Sequence, residues 1–176
     1  MKILIIGPLG AGKSSLAYAI NQKFGLPRLN LDEVCRTNNT YRSEAEQLKL
    51  LTAFIQKHSC WVMEGCQKAL YEKACPDVII DMRIGRLRAV WRFTKRFFEA
   101  KKLIDRDISP DLPVQAYHYR KVTIGKIFEW DKSNGEIMAQ IAEFLKGNAR
   151  VVITCKSFKD HKKVFEYITH NNLSGM

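Results

Sequence analysis

Short apolar runs alternate with helical patterns along most of the chain. The apolar runs predict strands over 2–6, 28–30, 61–63, 78–81 and 150–154. The first, fourth and fifth are almost continuously apolar, which is typical of parallel strands covered on both faces. Helices that alternate with such strands predict an α/β fold, in which helices cover both sides of one sheet.

The predicted helices begin and end at local sequence signals. The first spans 13–24, where Gly25 supplies a stop and Pro27 lies beyond it. Capping-box patterns open two more helices, at Ser43 and at Ser133, and apolar residues follow each at helical spacing. Further helices are predicted over 86–102 and 159–170. The residues 105–113 include two prolines and predict a loop, of a length often found in lids.

The segment between the first strand and the first helix reads G-x-x-x-x-G-K-S, from Gly7 to Ser14. Glycines in this pattern let successive backbone N–H groups turn inward around the phosphates of a nucleotide. Lys13 supplies positive charge to the β- and γ-phosphates, and the Ser14 hydroxyl is placed to ligate Mg²⁺. The helix dipole adds to the same site. We therefore predict that one set of residues binds the nucleotide: Gly7, Leu9, Gly10, Ala11, Gly12, Lys13, Ser14 and Ser15.

A glycine-rich dinucleotide turn is the alternative interpretation of the three glycines. It would use Asp32, after the second strand, to bind a ribose. That interpretation leaves the adjacent pair Lys13 and Ser14 without a role. The phosphate-loop interpretation uses every residue of the motif and is therefore favoured.

Composition indicates one domain with an excess of positive charge. We assign all 176 residues to a single domain, which is large enough for a three-layer core. Lys and Arg number 29 against 18 Asp and Glu, which gives a net charge of +11. Much of the excess lies within 83–106, where it could surround the phosphates of a small substrate or form a face for nucleic acid. Composition alone does not choose between these partners.

The sequence predicts a cytoplasmic protein without a membrane partner. No apolar run approaches the roughly 18 residues that a membrane-spanning helix needs. The five cysteines are scattered, and no C-x-x-C pair or zinc spacing occurs among them. Such thiols fit a reducing compartment.

Two carboxylates follow predicted strands, where ligands of open α/β sheets bind. Asp32 could accept a proton from a substrate hydroxyl or hold Mg²⁺ through water, or it could cap a short helix over 33–36. Glu64 ends the third strand and could orient Mg²⁺ or an attacking water, with an ordinary strand-end turn as the alternative. Asp32 is our candidate catalytic residue, which would orient or deprotonate the acceptor, and Ser14 and Glu64 are our candidate metal ligands.

Arginines on one predicted helix form the remaining candidate group. Arg88, Arg92 and Arg96 recur at intervals of four residues, so they share one helix face. One guanidinium group can donate two parallel hydrogen bonds to phosphate oxygens, which suits a lid or an arginine finger in phosphoryl transfer. Arg36 and Arg42 follow the second strand and could contact a second substrate.

The chain resembles the adenylate-kinase-like small P-loop kinases, and within them the bacterial DNA topology modulation proteins. The resemblance rests on the opening MKILIIGPLGAGKSSLA, on LNLD at 29–32, WVMEG at 61–65, DVIID at 77–81 and WRFTKR at 91–96, and on a late strand ARVVIT. It extends over nearly the whole chain. Of these segments, the phosphate loop alone is individually specific.

This resemblance implies a five-stranded parallel sheet in the order 2-3-1-4-5, ATP with Mg²⁺ as the donor, and a helical lid at about 84–125. It implies that Arg92 and Arg96 close over the phosphates as catalytic residues beside Lys13. It also implies that the loop after the last strand helps to hold the adenine, and here that loop is formed by Lys156, Ser157 and Phe158. No acceptor motif is recognisable. We therefore predict an ATP-dependent phosphotransferase with a small acceptor, with a nucleotide-gated nucleic-acid-binding protein or a weak ATPase as the alternatives.

Overall fold

Five parallel strands form the sheet at the centre of the fold. The structure is a computed structural model, and it describes residues 1–37, 40–65, 67–85, 87–88, 91–92, 130–146 and 151–173. The strands in chain order are β1 (Lys2–Ile6), β2 (Arg28–Asn30), β3 (Arg36–Thr37), β4 (Thr40–Tyr41), β5 (Trp61–Glu64), β6 (Val78–Met82) and β7 (Val151–Cys155). The main sheet has the order β2-β5-β1-β6-β7. When its five strands are counted along the chain, this is the predicted order 2-3-1-4-5.

The five predicted strands are confirmed with small differences at their ends. The first two match residue for residue, β5 and β6 each extend one residue further, and β7 begins and ends one residue later. Strands β3 and β4 form a separate antiparallel pair that the hydrophobic pattern did not predict. With two residues each, these strands are too short for a period of two to be recognised.

The described helices are α1 (Lys13–Phe24), α2 (Leu31–Cys35), α3 (Glu44–Lys57), α4 (Lys68–Ala74), α5 (Trp130–Lys146) and α6 (His161–Leu173), and a 3₁₀ turn (Phe158–Asp160) precedes α6. The bounds of α1 are as predicted, and Gly25 ends it with φ of 67°. The capping box of α3 is also confirmed, because Ser43 accepts from the backbone of Glu46 and Glu46 bonds back to Ser43. Helix α4 was not predicted.

Three predicted helix starts are wrong. Helix α5 begins at Trp130, so Ser133 lies inside it rather than at its cap. Residues 130–132 include no glycine or proline, so the helix can extend one turn beyond the local cap signal. Helix α6 begins at His161 because a 3₁₀ turn occupies 158–160. The short helix α2 begins at Leu31, two residues before the predicted 33–36.

Two hydrophobic clusters lie on opposite faces of the sheet, which gives three layers. One cluster joins alternate strand residues such as Leu4 and Met63 to α3, α4 and α5, through Phe54, Tyr71 and Phe144. The other joins the intervening strand residues to Leu16, Ile20, Val164 and Ile168 of α1 and α6. Across the described ranges, no helix has both the length and the apolar character needed to cross a membrane.

Part of the predicted lid lies outside the described residues. Residues 87–88 and 91–92 are helical, in agreement with the helix predicted over 86–102. The remainder of that helix from 93 onward, the loop predicted over 105–113 and the candidate catalytic residue Arg96 all lie outside the described residues. The structure therefore leaves the lid as a prediction.

Candidate functional site

The phosphate loop connects β1 to α1 at the carboxyl edge of the sheet. Gly7 has a φ of 146°, and Gly12, the N-cap of α1, has a φ of 94°. Residues other than glycine rarely adopt such backbone angles. A Cβ on Gly7 would lie 2.5 Å from the backbone oxygen of Met82 in β6. The loop therefore packs directly on the neighbouring strand, and only a residue without a side chain fits there.

Lys13 lies within this loop rather than in solvent. Its side chain is buried, and Nζ donates hydrogen bonds to the carbonyl oxygens of Gly7 (3.0 Å) and Pro8 (3.1 Å). Ser14 and Ser15 are the next residues of the first turn of α1. The structure thus brings the whole predicted nucleotide-binding set, from Gly7 to Ser15, into one loop and one helix start. Their roles in binding stay predictions.

Arg92 contacts the phosphate loop from a distant part of the chain. Its Nη1 donates a 3.0 Å hydrogen bond to the carbonyl oxygen of Ala11. A Cβ on Gly12 would lie 3.1 Å from the same Nη1. The spacing of arginines predicted a phosphate-facing group, and the structure places this arginine against the predicted phosphate site. Arg88 is exposed and makes no such hydrogen bond to the loop among the described residues.

The candidate acid Asp32 lies in α2, at the carboxyl end of β2. The N-cap of α2 is Asn30, whose side-chain oxygen accepts from the backbone N–H of Asp32 at 2.9 Å. The capping role considered for Asp32 is therefore wrong, because its neighbour already supplies the cap. Asp32 is half-buried, and its charge adds to burial in raising the pKa of Cys35 to about 11.

The candidate metal ligand Glu64 is the last residue of β5 and is buried, with 2% of its surface exposed. In the sheet register it lies beside Ile5 of β1 and Asn30 of β2. The backbone N–H of Gly65 then donates to the carbonyl oxygen of Ile5 at 3.3 Å. Glu64 is thus at the same edge of the sheet as the phosphate loop, on the strand that pairs with β1.

A third carboxylate at this edge was not among the predicted site residues. Asp81 lies in β6 beside Ile6, the last residue of β1 before the phosphate loop, and is 1% exposed. Its Oδ2 accepts from Arg83 Nε at 2.6 Å, whereas Oδ1 is buried without a hydrogen-bond partner among the described residues. The sequence signal that could have identified Asp81 as a site residue is its position as a polar residue at the end of the apolar run 78–81.

The loop after β7 is organised by one carboxylate. Asp160 Oδ2 accepts from the backbone N–H of Lys156 (3.0 Å) and of Ser157 (2.8 Å) and from the Ser157 hydroxyl (3.0 Å). An ion pair with Lys163 and these bonds lower the pKa of Asp160 to about 2. The predicted adenine-loop residue Lys156 is therefore fixed through its backbone, and its side chain is exposed.

His161 begins α6 near Arg92. Burial lowers the pKa of His161, and the charge of Arg92 lowers it further, against an opposing effect of Asp160. The neutral form of the histidine is therefore favoured over the charged form. The loop after β7 and the arginine on the phosphate loop are thus neighbours.

The arginines after β2 have different environments. Arg42 Nη1 donates to the carbonyl oxygens of Val34 (3.0 Å) and Arg36 (2.7 Å), and also to that of Glu33. These bonds satisfy carbonyl groups at the end of α2, so Arg42 has a structural role. Arg36 lies over the ring of exposed Tyr41, 4.3 Å from its centroid.

The sheet order, the helical layers and the phosphate loop define a P-loop NTPase fold. No protein-family model matches the chain. Deoxyadenosine kinase from M. mycoides, solved with bound dCTP, is similar to it with a TM-score of 0.56, at 15% identity over the whole of both chains. A protein named "Putative adenylate kinase" from Methanocaldococcus jannaschii is 21% identical over 187 residues, or 96% of this chain and 98% of that one. An adenylate kinase from Mycobacteroides abscessus is 40% identical over 38 residues, about a fifth of each chain.

Proposed function

We propose that the protein transfers the γ-phosphoryl group of ATP to a small acceptor, as nucleoside and nucleotide kinases do. The observation that supports this most directly is the hydrogen bond from Arg92 to Ala11 of the phosphate loop. The transferred group in such reactions carries charge on its outer oxygens, so catalysis consists mainly of positioning and electrostatic stabilisation. A guanidinium bonded to the loop that also holds the buried Lys13 ammonium would supply both.

The loop residues divide the work of holding the donor. Backbone N–H groups from Gly7 to Ser14 bind the phosphates, and Lys13 neutralises charge on the β- and γ-phosphates. Arg92 and, in the lid, Arg96 stabilise charge on the moving group. Lys156 and its loop hold the base of ATP. We propose these roles because the similar proteins named above are nucleoside and adenylate kinases.

The carboxylates at the sheet edge fit a bound Mg²⁺. Oxygen ligands are those that Mg²⁺ prefers, and the buried Oδ1 of Asp81 has no hydrogen-bond partner among the described residues. Ser14, Glu64 and Asp81 would hold the ion directly or through water. An ion held by these residues would neutralise charge on the phosphates of the donor.

We place the acceptor at the carboxyl end of β2, on the far side of β5 from β1. Asp32 would orient or deprotonate an acceptor hydroxyl there, since a carboxylate at hydrogen-bond distance serves as a general base. Arg36, half-buried on β3 with its guanidinium over the Tyr41 ring, adds a positive charge for an anionic acceptor. A nucleoside would supply the hydroxyl that Asp32 requires, and a nucleoside monophosphate would supply a phosphate oxygen together with the negative charge that Arg36 attracts. Membership among the DNA topology modulation proteins and a cytoplasmic location remain part of this proposal.

The test is ADP release with ATP, Mg²⁺ and a panel of nucleosides, nucleoside monophosphates, sugars and small acids. We expect one acceptor class to stimulate turnover, and Lys13→Ala to abolish that stimulation without loss of fold by circular dichroism. Lys49→Ala, on the exposed face of α3, is the matched control. Stimulation by nucleic acid alone would favour the nucleic-acid-binding alternative, and full turnover of Lys13→Ala would refute the mechanism.

A further inference from the structure

The buried carboxylate of Asp81 is bound by one neighbouring side chain, that of Arg83. Asp81 lies near the end of β6, and Arg83 is the first residue beyond that strand. Arg83 Nε donates to Asp81 Oδ2 at 2.6 Å. The Arg83 side chain is 44% exposed, and among the described residues this is its only hydrogen bond or ion pair.

The contact uses only one of the two carboxylate oxygens. A guanidinium group often binds both oxygens of a carboxylate through two parallel hydrogen bonds, but here Nε alone donates. The second oxygen, Oδ1, is buried and has no hydrogen-bond partner among the described residues. Burial of a charged group without a partner for each polar atom is costly, so such an oxygen indicates a ligand that supplies the missing interaction. Carboxylate oxygens are typical ligands of a hard cation such as Mg²⁺.

The backbone of Arg83 is itself fixed. Its N–H donates to the carbonyl oxygen of Cys155, the last residue of β7, at 2.7 Å. This bond follows directly on the strand register, in which Met82 lies beside Cys155. Side chains two residues apart on an extended chain point to the same side, so the guanidinium is kept on the side of the sheet where Asp81 lies. The pair is therefore better defined than an ion pair between two exposed side chains.

We propose that Arg83 is a positioning residue for the metal ion of the donor site. By binding Oδ2, it fixes the rotation of the Asp81 carboxylate and leaves Oδ1 available to ligate Mg²⁺, directly or through water. This inference rests on the proposed function, which puts a nucleotide and Mg²⁺ at the phosphate loop. Carboxylates that ligate ions are commonly fixed by a hydrogen bond to a neighbouring residue, and loss of that neighbour typically lowers metal affinity 10–100-fold.

A purely structural ion pair is the other interpretation of this contact. In that case Arg83 would stabilise the buried charge of Asp81 and have no effect on metal binding by the folded protein. The unpartnered Oδ1 favours a positioning role, because a guanidinium can satisfy both oxygens of a carboxylate and here satisfies only one.

The test is the binding of a non-hydrolysable ATP analogue, measured by isothermal titration calorimetry with and without Mg²⁺. The ratio of the two dissociation constants is the enhancement by Mg²⁺, and it requires no turnover. We expect Arg83→Gln to reduce this enhancement about tenfold and to leave binding without Mg²⁺ unchanged. The same substitution made in Asp81→Asn should cause no further loss, because Arg83 acts only through Asp81.

Two other variants serve as controls. Lys49→Gln makes the same change in net charge on an exposed position of α3 and should keep the enhancement of the wild type. Arg83→Lys keeps the charge but not the planar donor group, so the enhancement should fall by about threefold. If Arg83→Gln does not fold, as judged by circular dichroism, Arg83→Lys carries the same test in both backgrounds.

Three results would overturn the inference alone: an unchanged enhancement in both Arg83 variants, a further loss when Asp81 is already asparagine, or an equal loss of binding with and without Mg²⁺. The last would mean that Arg83 supports the fold of the nucleotide site and not its metal ion. No binding of the analogue by the wild type would overturn the inference together with the proposed function. The expected binding pattern without any phosphoryl transfer would refute the proposed function and leave the role of Arg83 standing.

Discussion

Replacing Gly7 by alanine should destabilise the whole domain. The new Cβ would lie 2.5 Å from the Met82 carbonyl oxygen and 3.0 Å from the Met82 Cβ. Ordinary contact begins at 3.4 Å, so the Cβ is too close to the carbonyl by about 0.9 Å. Met82 cannot easily move, because β6 is paired with β1 on one side and with β7 on the other.

Two effects contribute to the expected loss. A non-glycine residue at φ of 146° costs about 1–3 kcal/mol in backbone strain. Overpacking against a fixed strand costs about 1–3 kcal/mol more. We therefore expect Gly7→Ala to lose about 3 kcal/mol of the free energy of unfolding, a large part of the 5–15 kcal/mol typical of a domain.

The assay is urea unfolding followed by circular dichroism, with two glycine controls that separate the two effects. Gly25 has φ of 67° but nothing within 4 Å of its Cβ position, so Gly25→Ala should show strain alone, about 1–2 kcal/mol. Gly85 has neither feature, and Gly85→Ala should change stability by less than about 1 kcal/mol in either direction. A loss for Gly7→Ala no larger than that for Gly25→Ala would refute the packing of the loop on β6.

Three further predictions concern charge and capping. The pKa of His161, measured by NMR, should lie below 6.5, and Arg92→Gln should raise it only part of the way back, because burial is the larger cause of the shift. Because folding lowers this pKa, the stability that His161 contributes is complete above about pH 6.5 and is lost as the pH falls through the folded-state pKa. An unchanged pKa in Arg92→Gln would contradict the placement of Arg92. Asp81→Asn should raise the Mg²⁺ concentration needed for half-maximal turnover. The control is Asp77→Asn, which should leave that concentration unchanged, because Asp77 lies at the other end of β6 and accepts from the Lys2 backbone. Equal effects of the two variants would exclude a metal role for Asp81. Ser43→Ala should lose about 1 kcal/mol in urea unfolding, and no loss would mean that the capping box is not formed in solution.

The features that could be predicted from the sequence are those whose cause is local. A continuous apolar run, a glycine-rich turn and a helix stop at Gly25 all act within a few residues, so β1, the phosphate loop and α1 were predicted to the residue. The sheet order followed from the family resemblance. Local signals also misled where two of them competed, as at Ser133, which has the pattern of a cap but lies within a longer helix.

The contacts between distant segments could not be predicted in this way. Asn30 and Asp32 are equally good capping residues by type, and only the backbone path into α2 decides that Asn30 is the cap. Asp77 and Asp81 are the same residue type at the two ends of one apolar run, and only Asp81 lies at the carboxyl end of β6, beside the end of β1. That difference depends on strand direction and register, which a short apolar run does not encode.

The conformation of the phosphate loop depends on two segments that lie far from it in the chain. Met82 of β6 lies against Gly7, and Arg92 bonds to Ala11. His161 of α6 is near enough to Arg92 for that charge to act on it. Because the loop is held from two sides by segments about 75 and 81 residues away, the shape that we propose binds nucleotide should form only when the sheet has assembled. If ATP binds this loop, it should stabilise β6 as well as α1, since a ligand that binds only the folded state stabilises every element on which its site depends.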